Sequence, residues 1–296
     1  MKLKRNIYLK MKTLPEARNI AFQTFADLPP LASEEISVPD AVGRVLAEPV
    51  NARLSSPNFH LAAMDGLAVK AEITFGASAA TPKTLLIGHE AFYVNTGHVL
   101  PPDTDAVIMV EDVNALDDER VEIEAPVFPW QNVRRVGEDI VATELLFPQN
   151  HVITPYCVGA LLSGGLFSVP VKVRPKVLII PTGSELVDWR KLEMHDIKPG
   201  QVLETNSFVL GKLVEQCGGT FKRHEMVVDD TDKIKQALKT AVKEEYQLIM
   251  VLGGSSAGSE DFAKTAIVDL GEIKVHGVTI MPGNYHLLRF GDIYFF

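Results

Sequence analysis

Apolar residues recur at helical spacing in TLPEARNIAFQTFADL, where Ala17, Ile20, Ala21, Thr24 and Phe25 fall on one face. The next stretch, EISVPDAVGRVLAEPV, predicts a strand, a short helix and a valine-rich exit. Between residues 50 and 150 the texture changes to Pro, Gly, Thr and alternating apolar positions. There KTLLIGHEAFYVNTG, DAVIMVEDV and ERVEIEAPVFP predict the strands of a β-rich insertion. The greasiest stretch, ITPYCVGALLSGGLFSVPV (153–171), carries two prolines and three glycines. It predicts a short buried helix, opened by Thr154-Pro155 and stopped at Gly164-Gly165, rather than a membrane span.

From Arg174 onward strand and helix signals alternate. KVLIIPTGSEL reads as an apolar strand ending in a Thr-Gly turn. NSFVLGKLVEQCGG predicts a helix capped by Asn206, with Val209, Leu210, Leu213, Val214 and Cys217 on its apolar face and Gly218 as its stop. DDTDKIKQALKTAVKEE predicts another, with Ile234, Ala237, Leu238, Ala241 and Val242 aligned. QLIMVLGG is a buried strand, SEDFAKTAIVDLG a third helix with Ser259 as its cap, and HGVTIMPG a last strand and turn. The alternation predicts an α/β fold with a three-layer parallel sheet, ligands lying at the carboxyl ends of its strands. The expected organisation is an α+β linker region (1–50 and 140–173), a β-rich domain (51–139) and the α/β domain (174–296).

Composition narrows the setting. The chain has 296 residues, 46% of them apolar and 23% charged, which is ample for real cores and for more than one domain. A formal charge of −9 argues against nucleic acid or an anionic membrane as partner. Cys157 and Cys217 are too few for a disulfide framework or a zinc cluster, and the basic start MKLKRNIYLKMK lacks the apolar core of a secretion signal. The expected location is the cytoplasm.

The chemistry concentrates in turns. In VLGGSSAGSEDF a strand hands over to a helix through Gly253, Gly254, Ser255, Ser256 and Gly258, so backbone N–H groups can face an anion. A tight turn without a ligand would need the same residues, and there is no Walker or dinucleotide pattern. PTGSEL (181–186) and MPGN (281–284) occupy equivalent strand ends, and three glycine turns on one rim point to an anionic small molecule. In the β-rich half, Asp65 sits in a Met-Asp-Gly turn and Thr96-Gly97 in another, both compatible with ordinary turn chemistry. VRRVGEDI is denser: Arg134 and Arg135 suit an oxyanion, Glu138 and Asp139 a hard divalent cation, and a solvated charged loop is the plain alternative.

Taken in order, FHLAAMDGLAV, VNTGHVLPPDTDAVIMVE, NVRRVGEDI, PTGSEL, LETNS, VLGGSSAGSEDF and GVTIMPG resemble the molybdopterin molybdenumtransferases, the molybdenum insertases that include the C-terminal domain of gephyrin. The resemblance runs from about Thr13 to Gly291. The form GSSAGSED is similar to a bacterial subgroup often fused to a periplasmic-binding-protein-like domain. It implies a molybdopterin-binding α/β domain and an enzyme that cleaves AMP from molybdopterin-adenylate, with Mg²⁺ as helper, and inserts molybdate at the dithiolene.

The same resemblance implies the site. The pterin phosphate and nucleotide would rest on Thr182, Gly183, Ser184, Glu185, Asn206, Gly253, Gly254, Ser255, Ser256, Gly258, Glu260, Pro282 and Gly283. Thr96, Gly97, Arg134 and Arg135 would add contacts from the β-rich half. Asp65, Glu138, Asp139 and Asp261 would carry catalysis in a cleft completed by the second subunit of a homodimer, and Asp65, Glu185 and Asp261 would hold the metal.

Three departures bear on activity. Ser184 stands where the family usually has Asp, and Asn284 where it has Lys. The sequence also stops at FGDIYFF, where the family continues into a Gly-Leu-Pro-Gly loop, a helix and a small β domain, so a C-terminally shortened form is expected. A pterin-binding carrier without catalysis, or a degenerate fragment, is the alternative to an enzyme.

Overall fold

The run KVLIIP forms the strand Lys176–Pro181, buried from Val177 onward. Successive side chains of a strand point to opposite faces. Leu178 and Ile180 pack against Ile234, Ala237, Leu238 and Ala241 of the helix Thr231–Lys243. Val177 and Ile179 instead meet Val214 and Leu210 of the helix Asn206–Gln216. A strand covered on both sides is the middle of a three-layer sandwich, which is why its sequence is continuously apolar. In the computed structural model the described residues are 11–193, 195, 197–244, 246–253, 266, 272–279, 286–290 and 293–295. They divide into two compact units, residues 1–32 with 173–296, and residues 33–172.

The sheet of the first unit runs Thr220–Arg223, Lys176–Pro181, Leu248–Leu252, Ile293–Phe295, His286–Phe290, Glu272–His276. The pairings among its first four strands are parallel, and the two that add His286–Phe290 and then Glu272–His276 are antiparallel. The expected α/β fold with a parallel sheet stands, with an antiparallel extension at one edge. A parallel crossover needs about a dozen residues or more, and the links after His276 and Phe290 are shorter than that. The final strand signal is also displaced: the strand is Glu272–His276, and Gly277, in the left-handed region at φ +78, ends it.

Two helices show how the first unit is sealed. The helix Leu14–Ala26 begins with a capping box, the Thr13 N–H donating to Glu16 Oε2 at 2.8 Å and the Glu16 N–H to Thr13 Oγ1 at 3.4 Å. Ala17, with Ile20 and Ala21, packs against Val275 and Val278, while Phe25 stays 38% exposed although it was expected on the apolar face. In the helix Asn206–Gln216 the sheet-facing residues are Ser207, Gly211 and Val214; Val209, Leu213 and Cys217 are exposed. The Phe221 ring lies so close over Gly211 that a Cβ there would collide with it. Small residues therefore bring helix and sheet together; of the expected face, Leu210 and Val214 meet the sheet while Val209, Leu213 and Cys217 do not.

In the second unit one core gathers Val38, Leu46, Val50, Ile153, Leu161, Val169 and Val171 around the helix Pro155–Ser163. That helix follows Thr154 and is closed by Gly164. Another core, with Leu67, Val69, Leu85, Ile108, Val121 and Ile123, lies under two antiparallel three-stranded sheets. KTLLIGHEAFYV supplies two of those strands, Lys83–Leu86 and Ala91–Val94, separated by a turn. No described helix is long and apolar enough to cross a membrane.

Candidate functional site

Asp65 precedes the strand Gly66–Val69, the middle strand between Ala91–Val94 and Ala106–Met109. A Cβ on Gly66 would collide with the Ile108 carbonyl oxygen, so glycine is what lets the strands close beside Asp65. The Asp65 carbonyl accepts the Val110 N–H at 3.0 Å. Its Oδ1 accepts the Thr96 N–H at 2.7 Å and the Thr96 hydroxyl at 3.1 Å. These two Thr96 donors, with a smaller contribution from His98, hold the Asp65 carboxyl below its usual range. The group is exposed and ionised at neutral pH.

The clamp is itself fixed. Asn95 donates its N–H to His98 Nδ1 at 3.2 Å, the His98 N–H donates to the Asn95 carbonyl at 2.9 Å, and the Gly97 N–H reaches the Ala62 carbonyl at 2.8 Å. Leu61–Ala62 pairs antiparallel with Val133–Arg134, Ala62 opposite Val133 and Leu61 opposite Arg134. Asp65, Thr96-Gly97 and Arg134 thus come from three backbone segments linked by hydrogen bonds through Thr96 and Ala62.

Within the Arg134–Asp139 loop most charge is spent internally. Arg134 Nε donates to Glu138 Oε1 at 2.8 Å and its Nη2 to Asp139 Oδ2 at 2.5 Å. The Arg135 N–H donates to Glu138 Oε2 at 2.9 Å. The Arg134 guanidinium, and then that N–H, keep the Glu138 carboxyl below its usual range. Arg135 is left as the exposed guanidinium with no hydrogen bond or ion pair among the described residues.

The α/β unit supplies a second candidate rim. Past Pro181, the Thr182 N–H donates to the Leu252 carbonyl at 2.5 Å and the Gly183 N–H to the Val227 carbonyl at 3.0 Å. A Cβ on Gly253, at φ +128, would strike the Thr182 oxygens, so the two glycine turns abut. Ser184 and Asp229 bond reciprocally, the Ser184 N–H to Asp229 Oδ2 at 3.0 Å and the Asp229 N–H to Ser184 Oγ at 3.2 Å. Glu185 is exposed beside this turn, and its carbonyl accepts the Val202 N–H at 2.9 Å.

Asn206 is the first helical residue rather than the cap, and Thr205 at the cap position makes no side-chain cap bond. Glu204 takes over that role, accepting the Ser207 N–H at 2.8 Å and the Ser207 hydroxyl at 2.5 Å. It belongs to a buried network that the sequence did not reveal. Arg223 Nε lies 3.2 Å from Glu204 Oε2, and Arg223 Nη1 lies 3.8 Å from Asp188 Oδ2. Arg190 grips Asp188 with two bonds of 2.9 and 2.6 Å, which hold the Asp188 carboxyl far below its usual range. Arg223 and Arg190 both lie over the Phe208 ring. The one trace in the sequence is Glu204, three residues ahead of Ser207 at a helix start.

Asp261, Gly254, Ser255, Ser256, Gly258, Glu260, Pro282 and Gly283 lie outside the described residues, as do Ser259, Asn284 and all of the expected 259–271 helix except Ala266. Asp65 and Glu185 belong to different units. Among the described residues no three His, Cys, Asp or Glu side chains gather as a metal cage. Asp65 nevertheless keeps Oδ2 without a hydrogen bond among the described residues. One such hard oxygen suits Mg²⁺, which takes one or two carboxylates and completes its shell with water and substrate phosphates.

Two family descriptions match this arrangement. Residues 12–165 match the MoeA N-terminal region (domain I and II), and residues 178–291 match a probable molybdopterin binding domain. The chain belongs to the MoeA family. A putative molybdopterin biosynthesis protein of Methanocaldococcus jannaschii is 36% identical over 263 residues, which is 84% of this chain and 65% of that protein. The molybdopterin molybdenumtransferase of Haemophilus influenzae is 28% identical over 284 residues, 92% of this chain and 68% of the relative. A crystal structure of the molybdopterin biosynthesis MoeA protein of Pyrococcus horikoshii superposes with a TM-score of 0.79 at 30% identity, covering 97% of this chain and 73% of that one. The chain thus spans about two thirds of the length of its curated MoeA relatives. The MoeA N-terminal match contains Asp65, Thr96 and Arg134, and the binding-domain match contains the Thr182–Glu185 rim and the buried network.

Proposed function

We propose that the chain carries out the molybdenum-transfer step of molybdenum cofactor assembly. It binds molybdopterin-adenylate, breaks the phosphoanhydride so that AMP departs, and directs molybdate to the dithiolene sulfurs. The observation that supports this most is the ionised, exposed Asp65, clamped by Thr96, in the same unit as the exposed Arg135. A fixed carboxylate offers one oxygen for a cation, and an exposed guanidinium one fork for an oxyanion.

In this reading Asp65 orients the phosphates, Arg135 receives the negative charge, and Glu138 and Asp139 hold Arg134 in place behind it. The turns at Thr182–Glu185 and Gly253 form the rim for the pterin end, with Asn206 at their side; the N–H groups of Thr182, Gly183 and Ser184 are bonded within the unit and shape that rim rather than donate to the ligand. A Mg²⁺ ion held by the open Asp65 Oδ2 would neutralise charge on the breaking anhydride, and Glu185 and Asp261 are the metal-ligand candidates of the other unit by family resemblance alone. Substrates are the pterin adenylate and molybdate, and the working unit is a homodimer in the cytoplasm. These last two points rest on the family alone.

A second reading, a pterin carrier without catalysis, is favoured by Ser184, whose hydroxyl is spent on Asp229 where the resemblance puts a carboxylate. One assay separates the two. Molybdopterin-adenylate, Mg²⁺ and molybdate are supplied, and AMP release is followed against cofactor formation. Release of AMP with metal insertion is the expected result; tight binding with no AMP released would reject the enzyme and leave the carrier.

A further inference from the structure

We propose that His60 is a positioning residue of the candidate site, holding the Arg134–Asp139 loop through an unprotonated Nδ1. The Val136 N–H donates to His60 Nδ1 at 3.2 Å. A ring nitrogen that accepts carries no proton, so the neutral imidazole has its hydrogen on Nε2. The backbone of His60 is fixed as well, its carbonyl accepting the Leu100 N–H at 2.9 Å.

The ring is set by an unusual neighbour. His60 lies against Trp130, centroids 4.6 Å apart. Trp130 has φ +67, a left-handed conformation that bulky residues avoid. Its N–H donates to the Asp105 carbonyl at 2.7 Å and its own carbonyl accepts the Val133 N–H at 3.3 Å. Strain of this kind persists where the surroundings over-determine it. Here it sets the indole beside the imidazole that holds Val136.

Val136 follows Arg135, the guanidinium left uncommitted in this loop. Farther along, the loop's ties to Ser56 and Pro57 are backbone to backbone, the Gly137 N–H to the Pro57 carbonyl and the Asp139 N–H to the Ser56 carbonyl, each at 3.0 Å. Among the described residues, His60 is therefore the side chain from outside the loop that holds the backbone next to Arg135. The inference rests on the reading of this loop as an oxyanion grip.

Four proteins test it: the unaltered chain, His60→Asn, His60→Gln and His60→Phe. Each is measured for hydrogen exchange at the Val136 amide without ligand, for binding of molybdate alone, and for its urea midpoint as a check of folding. Asn places an oxygen where Nδ1 stands, so His60→Asn should keep Val136 protected and molybdate affinity within about twofold. Phe keeps a ring against Trp130 but cannot accept, so His60→Phe should exchange faster at Val136 and bind molybdate about three- to tenfold more weakly.

If Phe behaves as the unaltered chain in both assays, the ring merely packs and the proposal is wrong. If Gln preserves binding and Asn does not, Nε2 acts on the ligand directly and the positioning role is overturned. If the unaltered chain binds no molybdate while Phe still frees Val136, the oxyanion reading fails and the hold on the loop stands.

Discussion

Arg134 meets Glu138 and Asp139 on exposed loop positions, whereas Arg223 meets Asp188 and Glu204 with side-chain exposures of 10%, 3% and 2%. The residue types are the same and the settings opposite. An exposed pair is screened by water and salt and can be parted at little cost, so its members are available to a ligand. A buried set has lost its hydration, and removing one member strands the others. The β-rich unit thus keeps its charges within reach of solvent and solutes. The α/β unit uses charge to tie the end of the 186–187 strand, the Glu204 turn and the start of a helix to one another.

The largest effect should come from the buried side. Arg223→Ala leaves the buried Glu204 without its cation, and Asp188 with Arg190 alone, and should cost roughly 3–5 kcal/mol of stability, read from urea unfolding. A loss no larger than that of a surface substitution would mean the network is wet and the contrast false. Next is Asp65→Ala, expected to slow AMP release about a hundredfold or more with an unchanged urea midpoint. Unaltered rates would reduce Asp65 to a turn former.

A subtler pair sharpens the contrast by pH. Asp188 is held below its unfolded value, chiefly by Arg190, so the stability it contributes is present above about pH 4 and is lost as the solution becomes more acid. Unfolding midpoints between pH 7 and pH 3 should therefore fall less steeply for Asp188→Asn than for the unaltered chain; identical slopes would dismiss the buried carboxylate as a source of acid sensitivity. The smallest change expected is in Thr96→Val, which removes one of two donors to Asp65. The acid limb of the AMP-release profile should move to higher pH, because the carboxylate loses part of what favours its charge. A fixed limb would show that the backbone N–H suffices.

What could be read in advance followed from local rules. Ile234, Ala237, Leu238 and Ala241 recur at one-face spacing, and all four are buried. The helix Asn206–Gln216 was legible as a helix and only partly in its orientation: Leu210 and Val214 lie on the expected face, but the stripe also runs through Ser207 and Gly211, which hydrophobicity weighs at nothing. The Asp65 and Arg134 turns announced themselves through charge beside glycine. Asp188, Glu204 and Arg223 did not, since only the sheet brings such distant positions together. His60 escaped for the same reason: its partner, Val136, lies on another segment.

Ser33 lies opposite Lys172 in an antiparallel pair, and the Val173 N–H donates to the Ala32 carbonyl at 2.8 Å. The entry and exit of the second unit are zipped side by side. Residues 33–172 are one uninterrupted stretch and invite excision as a self-contained fragment. The other unit draws on both flanks of that stretch, so separating it calls for a short splice between Ala32 and Val173, a permutation the adjoining ends already permit.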